Sequence, residues 1–248
     1  MSLTYEICID STAGALAAER AGAHRVELCA ALFEGGLTPT LGTVEATLAA
    51  VSAIRVHVII RPRGGDFVYD EYEVAAMVRD VAAVRDAGAQ GVVIGVLTPE
   101  GEVDVEVAKR LIDAAGGLSV TFHRAFDMTA DPFAALETLA GLGIDRVLTS
   151  GQDSSALEGA PLIAELVRRA GDRLVVMPGG GITPRNVSRV VEATGAGEVH
   201  FAALVDEPSP AVHRNPYPFM GGELRQPEYV RRVTSPALVA EVIAATRG

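Results

Sequence analysis

Eight times along the chain a short run rich in Val and Ile gives way to a Gly- or Pro-marked loop and then to a stretch with helical periodicity. The spacing predicts strands over 5–10, 24–29, 55–61, 91–95, 118–123, 144–149, 173–177 and 198–202. It predicts helices over 12–21, 43–51, 72–87, 105–115, 132–139, 161–170, 184–193 and 236–245. Strands that alternate with helices pair in parallel, and eight such units in 248 residues predict a single-domain (β/α)8 TIM barrel over 1–248. Thr183-Pro184 and Ser235-Pro236 read as N-cap and N1 proline of the last two helices. Between the eighth strand and the last helix lies a Pro-rich extension, about 204–234, with five prolines and Gly221-Gly222. It is expected to be irregular, and to serve as a lid or interface arm or to be disordered.

Composition narrows the function. The formal charge is 21 − 32 = −11, and no Lys/Arg cluster is longer than a pair, so a nucleic-acid partner is not expected. Apolar stretches such as 91–97 fall far short of the ~18 residues that cross a bilayer, and Glu6 and Asp10 interrupt the place of a signal peptide's apolar core. A soluble, cytoplasmic protein without a membrane partner is expected. Two cysteines, Cys8 and Cys29, are too few for a disulfide framework and point to thiols in a reducing compartment.

Alternation within each strand assigns a direction to every side chain, because one set must meet the helix layer and the other the barrel axis. Ile7, Ile9, Val26, Leu28, Val56, Val58, Ile60, Val120, Phe122, Val199 and Phe201 suit the helices. That turns Glu6, Cys8, Glu27, Cys29, His57, Arg61, Thr121, His123 and His200 inward. A barrel held by packing alone would fill its axis with Val, Ile and Leu, and an unpaired buried charge costs several kcal/mol. Either a structural ion-pair network, Glu27 with Arg61 for example, or a functional site accounts for the set. Cys29, Arg61 and His123 end their strands at the rim where barrel active sites lie.

The loops at that rim carry further polar candidates: Arg63 and Asp66 in the third, Arg124 and Asp127 in the fifth, Ser150 in the sixth. The seventh is Gly179, Gly180 and Gly181, read as lying directly before a helix N-terminus, an arrangement that offers backbone N–H groups to an anion. Together with Arg61, Arg63 and Arg124 these glycines form a candidate site for a small anionic ligand. Glu27 and His123, with Arg61, are the candidates for acid–base catalysis, Glu6 being a second possible carboxyl. Phe67 and Phe126 are candidates for closing the pocket against water. Cys8 and Cys29, as soft thiolates side by side, are candidate ligands for copper(I), with His123 as a third.

The strings Glu6-Ile7-Cys8, Arg25-Val26-Glu27-Leu28-Cys29, Gly35-Gly36-Leu37-Thr38-Pro39, Ile60-Arg61-Pro62-Arg63-Gly64-Gly65-Asp66-Phe67, Thr121-Phe122-His123-Arg124-Ala125-Phe126-Asp127 and Leu148-Thr149-Ser150-Gly151 resemble those of the CutC copper homeostasis family. The resemblance runs from the first strand to about Ala203. It implies a cytoplasmic (β/α)8 barrel that assembles as a homo-oligomer, a dimer or tetramer, and handles Cu(I) through Cys8 and Cys29. Ile9 and Val68 stand where some members carry further cysteines, so the thiol inventory is small. Two functions follow as expectations: a copper homeostasis protein, and an enzyme acting on a small phosphorylated or carboxylated metabolite by Glu/His acid–base chemistry.

Overall fold

The computed structural model of the protein describes residues 3–218, 220 and 227–246. Its elements in chain order are β1 (Thr4–Ile9), α1 (Thr12–Arg20), β2 (Arg25–Leu28), α2 (Leu41–Ala50), β3 (Arg55–Ile59), α3 (Glu71–Asp86), β4 (Gly91–Ile94), α4 (Val105–Ala115), β5 (Ser119–Phe122) and α5 (Pro132–Gly141). They continue with β6 (Arg146–Thr149), α6 (Ala160–Ala170), β7 (Val175–Pro178), α7 (Val187–Thr194), β8 (Glu198–Ala202), β9 (Leu204–Pro208), β10 (Val230–Thr234) and α8 (Pro236–Ala245). The first eight strands run parallel in the order β7-β6-β5-β4-β3-β2-β1-β8. A single bridge, Gly179 to His200, closes the ring between β7 and β8. This is a (β/α)8 barrel, the fold that the eightfold alternation demands.

The alternation separates two apolar clusters. Ile7, Ile9, Val26, Leu28, Val56, Val58, Phe122, Val199 and Phe201 belong to the large core between strands and helices. Cys29, Ile59 and Val93, joined by Cys8 and Leu32, form a small cluster inside the barrel. Burial of each large aliphatic or aromatic side chain in the outer layer contributes roughly 1.5–3 kcal/mol, which fixes the register, since a one-residue slip would turn the charged set outward. Helix starts follow their caps. Asp70 accepts from the amide of Glu73, whose side chain accepts from that of Asp70, and Ser235 accepts from the amide of Leu238 ahead of Pro236.

Two expectations fail here. The helix expected over 184–193 starts at Val187, because Asn186 competes for the turn: its Oδ1 accepts the Thr183 amide and its Nδ2 donates to the Gly181 carbonyl, both at 2.8 Å. Five residues therefore separate Gly181 from α7, and Gly179, Gly180 and Gly181 do not lie directly before a helix N-terminus. The 204–234 segment is not irregular throughout. Its two ends pair as an antiparallel ribbon, β9 with β10, in a register that sets Glu207 opposite Arg231 and Asp206 opposite Arg232. Pro208 falls at the last position of β9, where a missing N–H is tolerated. Gly221 and Gly222 lie outside the described residues.

Candidate functional site

The inward side chains sort into a lower and an upper layer. At the bottom, Arg25 ion-pairs with Glu6 and, at 2.5 Å, with Glu198, while Arg146 reaches Glu198 at 2.6 Å and the Thr121 hydroxyl at 3.2 Å. His200 Nδ1 lies 2.7 Å from Glu6 Oε1. Burial would raise the Glu6 carboxyl, but the charge of Arg25 and the bond to His200 prevail and hold it well below the carboxylate range. Every charge in this layer has a partner. The alternation that turns Glu27 and Val199 to opposite layers also turns Arg25 and Glu198 inward, and Arg146 follows from Val147 facing the helices. These three are the site neighbours that the strand-by-strand reading left out.

Above this floor a cavity of about 460 Å³ opens to the rim at the C-terminal ends of the strands, the face on which barrel enzymes carry out their chemistry. Cys8, Glu27, Arg61, His123, Arg124, Gly180 and Gly181 line it together with Phe67 and His200. Cys29 is 1% exposed and stands directly behind Cys8, their sulfurs 3.7 Å apart. Gly36, at φ +93°, lets loop two pass the second thiol: a Cβ there would sit 3.1 Å from Cys29 Sγ.

The other sequence candidates lie elsewhere. Arg63 is clamped on the outer surface by Glu73 at 2.6 Å and Asp66 at 3.0 Å, over the ring of Tyr69. Asp127 ties the fifth loop to the sixth, accepting the amides of Ser150 and Gln152 and the hydroxyls of Thr149 and Ser150. Ser150 is fully buried in that knot. Phe126 is fully buried in the outer core, away from the cavity mouth.

Arg61 does not pair with Glu27. Its Nη1 donates to the carbonyls of Glu34 and Gly36 and its Nη2 to that of Gly65, so the guanidinium ties loops two and three together over the cavity wall. Glu27 instead faces Cys29 Sγ at 3.6 Å and His200 Nε2 at 3.7 Å. Burial and the adjacent Cys8 push its carboxyl well above the ordinary range, so it is the neutral acid of the site. A hydrogen bond from Cys29 is the largest influence on Cys8 and, with help from His200 against burial, brings its thiol down to about 5. Cys29 moves the other way, raised by burial and by the anionic neighbour. Of the two thiols, Cys8 is the readier to lose its proton. His200 is opposed by burial, but its bonds to Cys8 and Glu6 raise it well above 6.5 and make it an imidazolium.

His123 has the contrary character. Its Nδ1 accepts the Ala125 amide at 3.0 Å, which puts the ring proton on Nε2. Burial and the charge of Arg61 push it down to about 3, so at neutral pH it is a neutral donor. Gly95 makes room for the ring, since a Cβ there would stand 2.1 Å from Cε1. Its committed Nδ1 and its absence from the cluster of metal-competent atoms, which is Cys8, Glu27 and Cys29 within 4.8 Å of one another, remove His123 as a third copper ligand. The chain's one lysine, Lys109, is exposed on α4, away from the cavity.

A family model described as the CutC family matches residues 3–205. A CutC family protein of Mesorhizobium japonicum is 52% identical over 242 residues, covering 98% of this chain and 93% of its own. The copper homeostasis protein cutC homolog of Homo sapiens is 50% identical over 229 residues, 92% of this chain and 84% of its own. The crystal structure of a CutC protein from Streptococcus agalactiae superposes with a TM-score of 0.77 at 32% identity, covering 80% of this chain and 98% of that one. Phosphoribosylanthranilate isomerase from Thermotoga maritima, at 13% identity, a TM-score of 0.59 and 99% coverage of both chains, shares the barrel fold alone. No helix among the described residues is long and apolar enough to cross a membrane. Two relatives at half identity along nearly the whole chain, and a barrel in common with a third, make this chain a member of the CutC family.

Proposed function

We propose that the protein serves copper homeostasis by binding Cu(I) between Cys8 and Cys29. The observation that carries this reading is the pair of sulfurs 3.7 Å apart at the foot of an open cavity, one of them on the cavity wall. Two soft thiolates suit Cu(I), which accepts few ligands, and the nearby Glu27 carboxyl is a hard oxygen that adds little selectivity for it. Copper as cargo would enter past Cys8 and meet Cys29 behind it. Half-identical relatives bear the name copper homeostasis protein. The reading carries with it a cytoplasmic location, where unbridged thiols persist, and a homo-oligomer, dimer or tetramer.

Anaerobic titration with Cu(I) against a chromogenic competitor tests it. The expected result is close to one copper per chain for the native protein and a loss of more than tenfold in the Cys8→Ser, Cys29→Ser double variant. Equal copper in both proteins sinks the idea.

A further inference from the structure

Two donors on one wall of the cavity have nothing to donate to. His123 is 4% exposed, its Nδ1 is engaged by Ala125, and its Nε2 has no partner. Arg61 is 7% exposed, its two terminal nitrogens are held by loop carbonyls, and its Nε has no partner. Buried donors are nearly always satisfied, because burying one without an acceptor costs free energy. Phe67 brings the two into one place: its ring centre is 5.1 Å from that of His123 and 5.0 Å from the Arg61 guanidinium carbon. Both groups donate and neither accepts, so what completes them is an oxygen with lone pairs.

At the mouth of the same cavity stands a second set of donors. Gly181, at φ +70°, and Ile182 line the cavity, and their amides have no acceptor among the described residues. Arg124 lies beside Gly180, its Nη1 3.5 Å from where a Cβ on that glycine would stand; Asp127 holds its Nε at 2.8 Å and Ser150 its Nη2, while Nη1 is unengaged among the described residues. Arg232, from the β9–β10 ribbon, also borders the cavity, its Nε 3.8 Å from Asp206. Convergent amides and guanidinium groups suit the several acceptor oxygens of a phosphate. The cavity, about 460 Å³, falls within the range of small-metabolite sites.

We propose that the cavity binds a small phosphomonoester, its phosphate at the Gly181 and Ile182 amides beside Arg124, and a hydroxyl or carbonyl oxygen at its other end accepting from His123 Nε2 and Arg61 Nε. The site is independent of the copper reading and uses neither cysteine. Calorimetry with a panel of glycerol 3-phosphate, ribose 5-phosphate and glucose 6-phosphate, against inorganic phosphate and the unphosphorylated polyols, tests it on the full chain. At least one ester is expected to bind ten or more times tighter than inorganic phosphate and far tighter than its unphosphorylated counterpart. Arg124→Gln should weaken ester and inorganic phosphate alike by tenfold or more. His123→Phe should weaken the ester by a similar factor while leaving inorganic phosphate within twofold. His123→Gln, which keeps a side-chain N–H, should recover part of the loss and guards against a variant that fails to fold. The proposal is overturned if no ester on the panel binds tighter than inorganic phosphate, or if Arg124→Gln leaves ester binding unchanged.

Discussion

The lower and upper layers of the barrel interior are built from similar side chains and do opposite things with them. Below, Arg25, Arg146, Glu6 and Glu198 satisfy one another. Above, Arg61 is tied to backbone carbonyls, Glu27 lacks a cation of its own other than the shared His200, and His123 Nε2 is orphaned. A buried ion pair is costly to assemble and costlier to break, whereas an unmatched donor waits for something from outside. Charge inside a barrel is therefore no guide to function until its pairing is known. His200 joins the layers, with Nδ1 on Glu6 below and Nε2 toward Glu27 above.

Removing one member of the floor should have the largest effect. Arg25→Met strands Glu6 and Glu198 in the interior, and loss of one partner from a buried network typically costs about 3–5 kcal/mol. For a chain of this size that corresponds to a fall in Tm of roughly 6–20 °C by calorimetry. A variant within about 2 °C of native would show the two layers to be energetically alike.

A crowding change at the upper layer comes next. Gly95→Ala sets a methyl against the His123 ring, and overpacking of this kind costs about 1–3 kcal/mol. The expected signature is a moderate fall in Tm together with a changed environment of the His123 ring by NMR. An unmoved ring would show that the cradle does not position it.

His57 sharpens the comparison through pH. It sits low in the barrel against Gly91, and burial brings it down to about 4 from an unfolded value near 6.5. With a depressed folded value, its contribution to stability is full above pH 6.5 and is lost as the pH falls toward 4. Between pH 4.5 and 6, native stability should rise with pH relative to His57→Gln by up to about 1.4 kcal/mol per pH unit, one proton's worth. Parallel pH dependences for the two proteins across that range would show that the folded barrel does not hold His57 neutral.

The smallest effect belongs outside the cavity. Arg63→Ala breaks half-exposed pairs with Asp66 and Glu73, worth roughly 0–1 kcal/mol, and should leave copper and phosphomonoester binding within twofold of native. A tenfold loss of either would show that Arg63 reaches the cavity in solution.

The eight units and the inward set were legible because period-two alternation is enforced by a helix layer that tolerates no charge. The same rule reaches Arg25 and Glu198, so the floor was legible in principle. What alternation does not encode is pairing across the axis: Arg61 and Glu27 share an interior and never meet, because the backbone carbonyls of loops two and three claim the guanidinium first. Tautomers are equally invisible, since His123 is a donor only by virtue of the Ala125 amide. The start of α7 was misplaced because Thr183-Pro184 is a sound local start signal that Asn186 overrides within one turn. The β9–β10 ribbon hid behind its proline content, and its clue, two acids and two arginines more than twenty residues apart, becomes a signal only once the register is known.

One seam runs the length of the barrel. Seven neighbouring strand pairs share runs of two to five paired residues, while β7 and β8 meet through the single bridge of Gly179 and His200. Mechanically the barrel is a split ring: compliance is concentrated at one joint, and widening the mouth there breaks the fewest hydrogen bonds. Amides flanking that joint should be the first of the strand amides to exchange with solvent. Because Gly180 and Gly181 lie on one lip and His200 on the other, anything gripped across the mouth would act as a clasp, and slower exchange at the lips would report its arrival.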